Sequence, residues 1–191
     1  MTGYFEMEVI ERSEEACDAL KVLFRFIVNS VDKAEVVATT FDKALGNSTA
    51  ETLVVPDAEQ FDRLEAALRA LDTLRQPAAY GAEEDRPPLL RLTCYRDQRS
   101  SRHAVSEDDL AIEYFNARPH SDNFMFHSDS AARLTHEATG ITTVSDGARS
   151  RHRNLAQARD MLNAKLAENP APLHLNERSV RALRMRLATL S

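Results

Sequence analysis

Between Ser13 and Val31 apolar side chains stand at positions 16, 17, 20, 23, 24, 27 and 28, the spacing of one face of an α-helix. Such a stripe requires a helix that buries one side against something else. Ser13 is placed to cap it, and Glu14 and Glu15 sit where the helix end is positive. On either side lie YFEMEVI at 4–10 and the β-branched AEVVATTF at 34–41, both short and strand-like. The first forty residues therefore commit the chain to a mixed α/β arrangement.

The same grammar continues. ALGNSTA marks a turn, and ETLVVP at 51–56 reads as a strand ended by Pro56. An Asp57-capped helix follows, with Phe61, Leu64, Ala67, Leu68 and Leu71 at helical period. PAAYGAEEDRPP at 77–88 is a loop or linker, LLRLTCY at 89–95 a strand, and RDQRSSRHAVSEDD a polar connector with a boundary near 103. LAIEYFN at 110–116 alternates as a strand does. AARLTHEATGITTVS carries two short strands, with Gly140 supplying a positive φ between them. The spacing predicts a helix over 154–168, capped by Asn154, with Leu155, Ala158, Met161, Leu162 and Leu166 on one side. Pro170 and Pro172 stop it. NERSVRALRMRLATLS predicts a last amphipathic helix, with Arg178, Arg181 and Arg184 toward one side. The organisation expected is thus an acidic α/β domain over 1–102, a second small α/β domain over 103–169, and a helical C-terminal extension over 170–191.

Composition narrows the function classes. A chain of 191 residues, 43% hydrophobic and 28% charged, has enough apolar material for a core and is neither fibrous nor disordered. No apolar run approaches the ~18–20 residues needed to cross a bilayer. The acidic start, MTGYFEMEVIERSEE, lacks the apolar segment of a signal peptide, so a cytoplasmic protein without a membrane partner is expected. Cys17 and Cys94 stand far apart and outside any CxxC pair, which predicts free buried thiols and no cysteine-based zinc site. Net charge is −6, but unevenly spread: residues 1–100 hold 12 Lys/Arg against 19 Asp/Glu, and residues 101–191 hold 12 against 11. An acidic half joined to a near-neutral, arginine-rich half is compatible with one face meeting RNA.

Little of the side-chain chemistry points to a conventional enzyme. His120, His127 and His136 lack metal-ligand spacing, and no acidic or cysteine set completes them. The carboxylate neighbours Asp108–Asp109 and Glu83–Asp85 read as capping and solvated charge, and no GxSxG presents a serine nucleophile. No metal and no cofactor are expected. The denser constellation is basic: Arg149, Arg151, His152 and Arg153 immediately precede the 154–168 helix, and Arg133 and His136 lie on the preceding strand, where Arg133 can face the same side. Guanidinium forks pair with phosphate oxygens and position a protein on RNA without reading sequence; a solvated turn is the alternative. Phe124 and Phe126, alternating in a loop, are candidates for core, a base-stacking platform or a partner-binding wedge.

The string DSAARLTHEATGITTVSDGARSRHRNLAQARDMLNAKL at 129–165 resembles the region that follows the catalytic tripeptide in class I peptide chain release factors. Asp129, Ser130, Ala131, Arg133, Thr135, His136, Thr139, Gly140 and Ile141 match its first segment. Arg149, Ser150, His152 and Asn154 match its second. Upstream, VSEDDLAIEYFNA is similar to the family's lead-in strand, and the N-terminal half has the coarse topology of the accompanying domain. The resemblance implies an α+β, release-factor-like fold of two small mixed subdomains, the second like the catalytic domain, and a ribosome, tRNA or rRNA partner in the cytoplasm. In that family Gly-Gly-Gln precedes the matched string and directs water at the peptidyl-tRNA ester. Here the corresponding positions are Ser121, Asp122 and Asn123, and no two glycines are adjacent anywhere in the chain. An aspartate there adds negative charge where the reaction develops it. No Pro-x-Thr or Ser-Pro-Phe tripeptide associated with stop-codon reading is present, and the tail only partly matches the basic tails of rescue-type relatives.

Three functions remain open. The first is a translation-associated RNA-binding homologue without peptidyl-tRNA hydrolysis, using Arg133, His136, Arg149, Arg151, His152 and Arg153. The second is a peptidyl-tRNA hydrolase or release factor with a divergent loop, in which Asn123 orients water. The third is a protein-interaction module unrelated to the ribosome, using the Phe124 and Phe126 loop or the last helix as its contact.

Overall fold

A computed structural model describes residues 2–72, 87–97, 105–116 and 129–190. Residues 73–86, 98–104 and 117–128 lie outside it, and with them Ser121, Asp122, Asn123, Phe124, Phe126, His120, His127 and the Glu83–Asp85 group.

The chain folds as two antiparallel sheets with helices, the α+β class read from sequence. The larger sheet has the order β2-β3-β1-β4-β8, formed by β1 (Gly3–Val9), β2 (Glu35–Asp42), β3 (Asn47–Val55), β4 (Leu90–Arg96) and β8 (Leu173–Leu175). The smaller sheet has the order β5-β6-β7, with β5 (Leu110–Phe115), β6 (Ala131–His136) and β7 (Thr142–Ser145). Among the described residues four α-helices accompany the sheets: α1 (Glu14–Ser30), α2 (Ala58–Asp72), α3 (Arg151–Ala167) and α4 (Glu177–Leu190).

The alternation of β1 decides what packs where. Phe5 and Met7 point to one side of the large sheet, where Leu20 and Leu23 of α1, Phe61, Leu64 and Leu68 of α2, and Val180 and Leu183 of α4 bury them. Tyr4, on the opposite side, packs with Val54, and with Met161 and Ala164 of α3. Ser13 caps α1 as expected, its hydroxyl accepting from the Ala16 amide at 3.1 Å. Asp57 takes the corresponding hydrogen bond from Gln60, at 2.8 Å. Residues 173–190 do not stand apart from the first unit. Strand β8 pairs with β4 at Leu90–Leu175, and α4 adds Val180 and Leu183 to the main core, with Arg178, Arg181 and Arg184 exposed.

Helix α3 departs from the single-stripe reading. Ala158 and Leu162 bury against Leu110, Ala132 and Leu134 of the small sheet. Met161 and Ala164 bury against the large one. The helix is therefore apolar on two sides and shared by both sheets. It also starts earlier than expected: the N-cap is Ser150, whose hydroxyl faces the Arg153 amide at 3.4 Å. Asn154 is not a cap; it is fully buried inside the first turn.

Both cysteines are free and buried. Burial pushes the Cys94 thiol up to about 12, with the Glu65 carboxylate adding to the effect, and burial raises Cys17 as well. At pH 8 the Cys94 thiolate then amounts to roughly one molecule in ten thousand, and thiolate is the reactive form. The native protein is expected to show no fast-reacting thiol toward a disulfide reagent, and two after denaturation. One stoichiometric fast thiol in the native state contradicts this burial.

Candidate nucleic-acid interface

Residues 117–128, outside the described residues, are flanked by Asn116 after β5 and by Asp129 and Ser130 before β6. Two arginines grip this root, one on each face of the sheet. Tyr114 lies opposite Ala132 and shares the α3 side with Leu134. The Arg151 guanidinium covers the Tyr114 ring at 4.5 Å, and its Nε donates to the Asp129 carbonyl at 3.1 Å. Phe115 and Glu113 point the other way. There the Arg133 guanidinium stands 5.1 Å from the centre of the Phe115 ring and pairs with Glu113 at 2.7 Å. A guanidinium over an aromatic face is attracted by the ring quadrupole while leaving other N–H donors outward.

Below Arg151, the Asn154 amide uses both ends. Its Nδ2 donates to the Ser130 carbonyl at 2.7 Å and to the Ala148 carbonyl at 2.9 Å, and its Oδ1 accepts from the Ala148 amide at 2.9 Å. Ser145 Oγ lies 3.2 Å from both Asn154 Oδ1 and Gln157 Oε1, with one proton to give to either. The first turn of α3 thus ties the strand leaving the 117–128 segment to the loop that starts the helix.

That loop is docked on β2, the edge of the large sheet. The Asp146 and Gly147 amides both donate to the Val37 carbonyl, at 2.8 and 3.1 Å, and the Thr39 amide donates to Asp146 Oδ1 at 3.2 Å. Gly147 is there because of distance: a β-carbon would run into the Val36 carbonyl oxygen. Arg153 crosses to Glu35 at 2.6 Å, and Lys33 approaches the same carboxylate at 3.4 Å. Burial alone would raise the Glu35 carboxyl, but these two cations outweigh it and hold it below its ordinary value. Further along, Lys165 pairs with Glu6 at 2.8 Å and stands over Tyr95 at 5.5 Å, a second tie between α3 and the large sheet.

Of the six basic candidates, Arg149, Arg151, His152 and Arg153 come together on the exposed start of α3. Arg133 is on the opposite face of the small sheet, because β6 alternates and its neighbours Ala132 and Leu134 are the ones that meet α3. His136 is at the far end of β6, locked in the β6–β7 turn by its Nδ1 contact with Thr139 Oγ1 at 2.8 Å. Gly140 takes φ 70° in that turn, as read from sequence. Among the described residues no group of three or more histidine, cysteine or acidic side chains is placed to hold a metal ion, and no helix is long and apolar enough to cross a membrane. Reading the sequence missed Tyr114, Glu35 and Gly147. Only Gly147, inside SDGAR, carried a local sign of a close approach.

The α+β fold of two antiparallel sheets sharing one helix is release-factor-like. The whole chain superposes on 53% of RF2 of Thermus thermophilus with a TM-score of 0.67 and 19% identity. In sequence it is 29% identical over 160 residues to peptide chain release factor 2 of Janthinobacterium sp. (strain Marseille), covering 83% of this chain and 43% of that protein. It is 42% identical over 64 residues to peptide chain release factor 2 of Rickettsia africae (strain ESF-5), covering 34% of this chain and 17% of the other. No family model matches the chain. The chain spans about half or less of the length of these relatives.

Proposed function

We infer that this chain is a release-factor-like RNA-binding protein of translation that works without hydrolysing peptidyl-tRNA. The observation that carries the reading is a contrast within one site. Of the residues that root the 117–128 segment, Asp129, Ser130 and Asn154 match the release-factor string; they are joined by hydrogen bonds to one another and to Arg151, which lies between matched positions. The positions where that family has Gly-Gly-Gln read Ser121, Asp122 and Asn123. The site keeps its support and has a different tip. Arg149, Arg151 and Arg153 present guanidinium groups from one helix start, an arrangement suited to a phosphate backbone, and the partner expected is a tRNA or the ribosome in the cytoplasm.

Hydrolysis separates this reading from the enzymatic one. Wild-type protein and N123A are incubated with ribosomes carrying a formylmethionyl-tRNA ester, beside a release factor as positive control. The expected result is no ester cleavage above the spontaneous rate by either protein. Cleavage by the wild type that falls by about 100-fold or more in N123A, the scale of losing a positioned catalytic group, overturns it in favour of a divergent hydrolase.

A further inference from the structure

We propose that Glu35 is an internal competitor for the RNA phosphate at the α3 arginines, so that Arg153 is handed from a carboxylate on β2 to a phosphodiester when RNA binds. The proposal rests on the RNA-binding reading above and adds its regulation. Glu35, Val36, Gly147, Arg149, Ser150, Arg153 and Gln157 line a groove of about 490 Å³ between the β2 edge and the first turns of α3. Its walls come from two parts of the chain, yet its charges are already matched: Arg153 Nη2 donates to Glu35 Oε2 at 2.6 Å, with Lys33 Nζ 3.4 Å from Glu35 Oε1. A carboxylate is thus held by two cations beside Arg149, the arrangement a phosphate oxygen would take.

Magnitudes permit the exchange. The Arg153 and Glu35 side chains are 58% and 28% accessible. An ion pair exposed to that degree is worth no more than about a fivefold preference. Charge-assisted bonds from an arginine fork to a phosphate are stronger than that, and a polyanion adds counterion release that Glu35 cannot. RNA therefore displaces Glu35, at a cost that lowers the affinity of the unmodified protein by the same small factor. Displacement also removes one of the links between the α3 start and β2, leaving the contacts of Asp146 and Gly147 with Val37 and of Thr39 with Asp146 in place.

The test is a double-mutant cycle read by anisotropy of a fluorescein-labelled tRNA at about 50 mM salt, where phosphate contacts are little screened. Glu35→Gln keeps the shape and removes the charge. Binding is expected to tighten by about threefold to fivefold in E35Q, and the same change in an R153A background is expected to give less than about twofold, because the competitor acts through Arg153. An equal gain in both backgrounds overturns the proposal, since Glu35 would then act only as one more negative charge. So does no gain in E35Q while R149A/R151A/R153A binds more weakly than wild type; in that case the RNA-binding reading stands without its competitor. If wild type and the triple variant bind tRNA alike, or neither binds, the RNA-binding reading fails and the competitor with it.

Discussion

N154D loses about 3–5 kcal/mol of folding stability at neutral pH, the scale of a buried charge left facing the wrong partners. Asn154 is buried to 0% accessibility and its Nδ2 serves two carbonyls, those of Ser130 and Ala148. Aspartate has the same size and no N–H. Its carboxylate would sit against two carbonyl oxygens in a site from which water is excluded. Both burial and those oxygens disfavour the charged form, so the introduced carboxyl titrates above its unfolded value. The sign follows: protonation in the folded state offsets the penalty at low pH, and the variant loses stability progressively as pH rises through its raised folded value. Asn154→Ala, which strands the same backbone groups without adding charge, loses about 2–4 kcal/mol with no such pH dependence. Urea unfolding of both variants at pH 5 and pH 7.5 checks this. A penalty for N154D equal at the two pH values, or below about 1 kcal/mol, contradicts the amide's role as the tie between Ser130 and the α3 start.

Gly147→Ala is expected to cost about 2–3 kcal/mol, and to do so by lifting one loop off one strand. The added β-carbon meets the backbone carbonyl of Val36, which no rotamer change can move away. The loop must then shift, breaking the hydrogen bonds of Asp146 and Gly147 to Val37 and of Thr39 to Asp146. Gly46→Ala is the control. Gly46 has φ 62° but open space around it, so the substitution costs only the left-handed backbone, about 1 kcal/mol. Amide hydrogen exchange separates the two: in G147A, Thr39 loses protection while the α1-side core of the large sheet, around Phe5 and Met7, keeps its own. Uniform loss of protection across both sheets, or none at Thr39, contradicts a local undocking.

The sequence was most legible where one residue sees one environment. The Ser13 and Asp57 caps and the Gly140 turn are local features that the structure has where the spacing places them, and the α1 stripe holds at Ala16, Cys17, Leu20, Leu23 and Ile27, while Val28 is exposed and Ala19 and Phe26 are buried. Helix α3 was harder for a physical reason. With Ala158 and Leu162 against one sheet and Met161 and Ala164 against the other, its apolar residues do not mark a single direction, and the stripe read from sequence merges two faces. Strand β8, three residues between Pro172 and α4, is too short to announce itself and exists because β4 offers an edge. At the site, the cluster from Arg149 to Arg153 was visible as composition. The separation of Arg133 from it was not, because that depends on which face of β6 meets α3. Asn154 stood in the matched string but read as a cap, since asparagine before a helix usually is one. Only the fold shows it four residues inside, with every amide hydrogen-bonding position used. The tip itself, Ser121 to Phe126, lies outside the described residues, so its reading rests on sequence alone.

The central claim, that the α3 start meets RNA of the translation apparatus, is tested most directly by co-sedimentation of the purified protein with ribosomes across a salt series, for wild type and R149A/R151A/R153A. Saturable binding that falls with salt is expected for the wild type. The triple variant should bind at least about tenfold more weakly, with a salt slope shallower by about two to three phosphate contacts. Equal binding by the two proteins, or no binding by the wild type even at low salt, contradicts the account and moves the search to a protein partner.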